Sequence, residues 1–240
     1  MCLFPFEPQY FEAHGLSAHY VGHPLVLQNH QKSSDSFREL YEIEKDAFVV
    51  GVYLGSREAE IAKHEGVFRD AVGFLLEQNP ELEIIMPTFP DLEYNALSAL
   101  AGIDVHPVVI REQKQKWEAM RACDLAIAVS GTVGLELAYM NVPHIVAYKT
   151  HPITALIVRL LIKVRFVHLA NILLDKPAVP EFLQGKCKSL QIAMELARLL
   201  KDEELLKEQK VAFAELRTML KDGMVGNPSE TAAHYILSME

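Results

Sequence analysis

From about Asp46 the chain falls into a rhythm of short apolar runs and longer amphipathic stretches. Residues 47–54, Ala-Phe-Val-Val-Gly-Val-Tyr-Leu, are rich in β-branched and aromatic side chains and predict a strand. Gly55-Ser56 breaks the run, and 57–78 predicts a helix with Ile61, Val67, Phe68, Ala71 and Leu75 on one side, ended by Asn79-Pro80. The same reading predicts strands over 82–86, 104–110, 125–129, 143–148 and 166–169. It places helices over 92–101, 114–122, 132–140 and 153–164 between them. Short strands alternating with longer helices mean βαβ units and a parallel sheet. Strands that are apolar almost throughout fit a sheet covered on both faces. The pattern predicts an α/β fold, a Rossmann-like doubly wound parallel sheet over residues 46–185.

Outside that span the pattern changes. Residues 186–240 read as a helical tail: Leu190, Ala193, Met194, Ala197 and Leu200 keep helical spacing, as do Leu206, Phe213, Leu216 and Leu220. Asp222-Gly223 ends the second of these helices, and Asn227-Pro228-Ser229-Glu230 starts a last one. Residues 28–45 read as a linker, because Gln28 to Asp35 is polar throughout. Residues 1–27 suggest a turn, a short helix near Tyr10 to His14, and one strand over 20–25. A single strand cannot form a domain. This stretch is expected to be the tail of a larger N-terminal domain that the chain lacks.

Composition narrows the function. Half of the 240 residues are hydrophobic and 23% are charged, which excludes a disordered chain. The net charge of -9 argues against a nucleic-acid partner, since neutralising phosphates needs clustered Lys and Arg. Cys2, Cys123 and Cys187 are odd in number and far apart, as expected of thiols in a reducing compartment. The opening residues lack the basic and apolar regions of a signal peptide. Residues 153–164 are the most apolar stretch but too short to span a bilayer. The ten histidines show no metal spacing, so no metal is expected.

Candidate chemistry sits at strand ends. Gly55-Ser56-Arg57 follows the first strand and opens a helix, at the edge of a doubly wound sheet where ligands bind. Small residues there admit a phosphate to a helix N-terminus, and Arg57 adds a bidentate clamp; the alternative is a tight turn with a solvated Arg. Ser130-Gly131-Thr132 repeats the arrangement after 125–129, and two such helix starts suggest a diphosphate. Glu136, one turn on, suits ribose hydroxyls or merely complements the helix dipole. Ile110 ends a strand whose backbone offers hydrogen bonds to a base edge. Asn171, Glu181 and Gln184 suit sugar hydroxyls, or are turn and cap residues. Tyr148, Lys149, His151, Arg159, Lys163 and Arg165 form a basic patch, either a solvated face or a contact for anionic lipid.

Taken in order, these segments resemble the lipid-A-disaccharide synthase family. The resemblance rests on Pro5-Phe6-Glu7, Val21-Gly22-His23-Pro24-Leu25, Gly55-Ser56-Arg57 with Glu60-Ile61, and Ala122-Cys123-Asp124. It continues through Ser130-Gly131-Thr132 with Leu135-Glu136, Pro143 with Val146-Ala147-Tyr148, Asn171-Ile172, and Pro180-Glu181 with Gln184. Leu54 and Ala170 stand where the family usually has proline. The resemblance implies the C-terminal nucleotide-binding domain of a two-Rossmann-domain (GT-B) glycosyltransferase. Such an enzyme condenses UDP-2,3-diacylglucosamine with the lipid-linked acceptor 2,3-diacylglucosamine 1-phosphate, releasing UDP. It needs no cofactor, and its base lies in the N-terminal domain. Arg57 and Asn171 match motif positions that the family needs for activity, and Glu136 a position that takes the ribose in related transferases. It further implies a cytoplasmic protein, peripheral on the inner membrane of a Gram-negative bacterium, working with an N-terminal half or a homodimer partner. A UDP-sugar 2-epimerase-like enzyme and a non-catalytic nucleotide-binding remnant share the architecture.

Overall fold

The computed structural model describes residues 1–150 and 165–238. Among them, six strands form one sheet: β1 (Val49–Tyr53), β2 (Glu83–Pro87), β3 (Val108–Ile110), β4 (Leu125–Ala128), β5 (His144–Tyr148) and β6 (Glu181–Leu183). Their order is β3-β2-β1-β4-β5-β6, with every neighbouring pair parallel. The order reverses between β1 and β4, where Gly51 faces Ile85 of β2 on one side and Ala126 of β4 on the other. That reversal defines the doubly wound fold and the place where its crevice opens.

Period-two alternation sends successive strand residues to opposite faces. Val49, Tyr53, Ile85, Ala126, Ala128 and Val146 join one apolar core. Val50, Val52, Ile84, Met86, Leu125, Ile127 and Ile145 join the other. Helix α3 (Glu58–Gln78) covers the second face through Ile61, Phe68, Ala71, Val72 and Leu75, which recur at three- and four-residue intervals. Its end is closed by Asn79, whose side-chain amide donates to the Leu75 carbonyl at 3.0 Å. Helix α4 (Glu93–Ser98) packs beside it. Helices α5 (Lys116–Ala122) and α6 (Thr132–Tyr139) cover the first face.

The helices after Gln184 return to the same body. Ile192, Ala193, Leu196 and Leu199 of α8 (Ser189–Lys201) are buried in the second core, and α8 packs on α3. Helix α9 (Glu203–Met219) is capped by Asp202 and inserts Phe213 and Leu216 into the first core. Helix α10 (Pro228–Leu237) starts with a reciprocal capping box between Asn227 and Glu230. Residues 1–27 lie against this end: the Tyr20 hydroxyl donates to the Leu220 carbonyl at 2.7 Å, and the His19 ring stands 3.8 Å from that of Tyr235.

Three expectations are corrected. Residues 166–169 are not a strand. His168 caps a short helix, α7 (Leu169–Leu174), by accepting from the Ala170 N–H, and the sixth strand lies further on at β6. A four-residue apolar run carries no period of its own, so its cap and packing decide its state. Residues 20–25 form only a single bridge, Cys2 to Tyr20. Pro24, which has no N–H to donate, opens a 3-10 turn over Pro24–Leu27 instead. Within 28–45, the segment read as a linker, helix α2 (Asp35–Leu40) buries Phe37, and its Arg38 donates to the carbonyls of Ala47 and Ala122 and to Asp124. Near Tyr10 a short helix, α1 (Pro8–Glu12), is present. The helix expected over 153–164 lies outside the described residues.

Candidate functional site

A cleft of about 580 Å³ opens at the carboxyl edge of the sheet, over the point where the strand order reverses. Its walls include Gly55, Ser56, Arg57, Ile110, Ser130, Gly131, Thr132 and Glu136, so the structure brings these eight expected residues together. Tyr53, Thr88, Phe89, Lys116 and Tyr148 also line it.

The turn after β1 is built around Gly55. Its φ of +111° is open to glycine, and a Cβ there would meet a Glu60 carboxylate oxygen at 2.7 Å. Glu60 closes the turn, accepting from the Ser56 N–H and from Arg57, both at 3.1 Å. Arg57 is 77% exposed, so its guanidinium is free to reach a ligand while paired at one side. At the turn after β4, Gly131 is the N-cap of α6, and Gly131, Thr132 and Val133 line the cleft, so the positive dipole end of that helix faces it.

Glu136 is 18% exposed and ion-paired with Lys116 of α5. The ammonium donates to Oε1 at 2.7 Å and stands 2.6 Å from Oε2, so one cation serves both carboxylate oxygens. Beneath the cleft the buried Tyr53 phenol is pushed well above its usual range, by burial first and by Cys123 second.

Asn171, Glu181 and Gln184 are not brought to this cleft. Asn171 is fully buried in α7; its amide donates to the Val179 carbonyl (2.8 Å) and to Glu181 (2.9 Å), and its oxygen accepts from the Val179 N–H (2.8 Å). Glu181 in turn accepts from the N–H groups of Val167 and His168. Their side chains staple α7 to β6. Gln184 accepts from the Thr150 N–H at 3.4 Å. Of the basic patch, Tyr148, Lys149 and Arg165 are described, and Arg165 lies 3.9 Å from Asp175; His151, Arg159 and Lys163 lie outside the described residues. No group of His, Cys, Asp or Glu among the described residues is arranged to hold a metal, and no described helix is long and apolar enough to cross a membrane.

Sequence reasoning missed Lys116, Phe89 and His64. Lys116 carries no signal beyond a charge on a short helix. Phe89 has one, an aromatic residue followed by Pro90 immediately beyond a strand end. His64 is fully buried behind the cleft. Its Nδ1–H donates to the Glu60 carbonyl at 2.7 Å, and its Nε2 accepts from the Lys149 N–H at 2.8 Å.

The fold and the cleft define a Rossmann-like doubly wound domain with a crevice suited to an anionic ligand. Solved structures agree on the fold. A UDP-GlcNAc 2-epimerase from Neisseria meningitidis, bound to UDP-GlcNAc, superposes over 96% of this chain and 59% of its own, with a TM-score of 0.59 at 13% identity. WaaG, a glycosyltransferase involved in lipopolysaccharide biosynthesis, does so over 84% of this chain and 50% of its own, with a TM-score of 0.55 at 16% identity. The sequence is more specific: the profile of the Lipid-A-disaccharide synthetase family matches residues 1–235. The lipid-A-disaccharide synthase of Rhodospirillum centenum is 37% identical over the whole chain, which covers 60% of that relative. The chain belongs to the lipid-A-disaccharide synthase family, and spans about 60% of the length of the curated relatives it matches.

Proposed function

We propose that this chain is the nucleotide-sugar-binding part of a lipid-A-disaccharide synthase, a glycosyltransferase that condenses UDP-2,3-diacylglucosamine with 2,3-diacylglucosamine 1-phosphate and releases UDP. The observation that carries this reading is the convergence of two helix-start turns, 55–57 and 130–132, from neighbouring strands on one cleft. Transfer needs positive charge where the leaving diphosphate develops negative charge. Arg57, Lys116 and the positive start of α6 supply it. Glu136, held by Lys116 at the cleft wall, takes a ribose hydroxyl. Ile110 and Phe89 line the base end. In this reading the UDP-sugar is a substrate, and the chemistry uses no cofactor. The epimerase alternative is not favoured, since the matching family profile and the relatives at 35–37% identity are synthases.

Calorimetric titration of UDP tests the reading. Saturable binding is expected, and Arg57→Ala should weaken it about tenfold, the loss of one charge-assisted contact. An unchanged affinity in that variant would remove Arg57 from the diphosphate site. The basic stretch from Tyr148 to Arg165 is proposed to touch the anionic face of the inner membrane. Flotation with anionic but not with neutral vesicles is the expected result.

A further inference from the structure

His64 belongs to no motif, yet it joins the two rims of the cleft. Helix α3 carries the Gly55-Ser56-Arg57 turn at its start, and Glu60 closes that turn through its side chain. One helical turn on, the His64 Nδ1–H donates back to the Glu60 carbonyl. The other ring nitrogen leaves the helix and reaches β5, which is separated from β1 in the sheet by β4. There it accepts from the backbone N–H of Lys149, the first residue beyond the strand. The ring also stacks on Tyr148, a wall of the cleft, at 5.4 Å between centroids and 25° between planes, and meets the edge of Phe68 at 6.1 Å. The next N–H, of Thr150, goes to Gln184. Two consecutive amides leaving β5 are thus held by side chains, one from α3 and one from the turn after β6.

Both hydrogen-bond assignments are forced. A backbone carbonyl can only accept and a backbone N–H can only donate, so the ring is a neutral imidazole with its proton on Nδ1. Burial holds its pKa below the usual range, which keeps the acceptor nitrogen unprotonated.

We propose that His64 is a positioning residue of the nucleotide site: it holds Tyr148 and the chain leaving β5 against the helix that carries the 55–57 turn. The proposal rests on the nucleotide reading above. Tyr148 lies on the β5 side of the cleft and Phe89 and Ile110 on the β2 and β3 side. A ligand spanning the central turns therefore meets a wall that His64 sets at a fixed distance from Arg57.

The test is calorimetric titration of UDP into the wild-type chain, His64→Leu and His64→Gln, with folding checked by thermal unfolding. Leucine fills similar space but leaves the Lys149 N–H without its acceptor and the Tyr148 wall without its anchor, and it should weaken UDP binding about tenfold. Glutamine restores an acceptor oxygen and should recover most of that affinity. Equal affinity of wild type and His64→Leu would overturn the proposal, and so would equal losses in both variants, which would make the ring mere packing. Should His64→Leu fail to fold, NMR of the wild type decides: UDP should shift the Lys149 amide and the His64 ring signals, and unmoved signals would overturn it. Wild-type chain that binds no UDP would instead overturn the nucleotide reading, and this proposal with it.

Discussion

His144 and His168 show how burial turns ionisable groups into structural ones. Their Nε2 atoms are 2.9 Å apart in the interior. His144 donates from Nδ1 to the Val142 carbonyl, so its Nε2 accepts; His168 accepts at Nδ1 from the Ala170 N–H, so its Nε2 donates. Burial lowers the pKa of His144 from 6.5 to about 4 and that of His168 well below 6.5, with the charge on His168 disfavoured further by His144. Between pH 6.5 and about 4 the unfolded chain therefore binds more protons than the folded one. Stability from the pair is complete above pH 6.5 and falls as the pH drops through that window. Urea midpoints measured from pH 7.5 to 4.5 should decline across it, and a flat profile would mean that the rings are hydrated. Gly134 of α6 makes room for this pair, since a Cβ there would meet the His168 Nε2 at 2.4 Å. Gly134→Ala should cost about 1–3 kcal/mol in chemical denaturation through overpacking. At the cleft, Glu136→Gln should weaken UDP about tenfold and 2′-deoxy-UDP by less, because a charged acceptor for a ribose hydroxyl is lost.

At the scale of elements, the informative cases are those where the hydrophobic pattern misled. Helix α2 stands in a stretch whose polar beginning reads as a linker, yet Phe37 and Ile43 are buried in the first core. What fastens it is Arg38, which reaches residues 9, 84 and 86 positions away in the chain. No local pattern announces such contacts. Arg38→Met should lower stability by about 1–3 kcal/mol, since the part-buried carbonyls it serves lose their charged donor; thermal unfolding checks this, and a change near zero would show that water replaces the guanidinium. The run 166–169 misled for a different reason. It is too short to carry a period, and the cap from His168 and the Asn171 staple to β6 settle it as the approach to a helix.

For the whole molecule, the main prediction concerns transfer. Two of the carboxylates lining the cleft, Glu60 and Glu136, are already ion-paired, and the chain spans about 60% of its relatives' length. Transition-state stabilisation needs donor, acceptor and base held together. The 240 residues alone are expected to bind UDP and form no disaccharide from UDP-2,3-diacylglucosamine and its acceptor. Adding the N-terminal part of the Rhodospirillum centenum relative should permit it. Product formed by the chain alone would place the acceptor pocket and base within it.

Much of this was legible in residue order. The alternation of apolar strands and amphipathic helices determined a doubly wound parallel sheet, because strand and helix periods are local consequences of backbone geometry. The small-residue turns 55–57 and 130–132 were legible for the same reason: a strand end that opens a helix always lies at the carboxyl edge. Tertiary structure alone decided which side chains share a space. It placed Lys116 against Glu136 and His64 against the Lys149 amide, and it took Asn171 and Glu181 out of the cleft to hold α7 and β6 together. Those pairings join residues up to 85 positions apart, and their partners are fixed by how helices settle on the sheet, which no window of sequence contains.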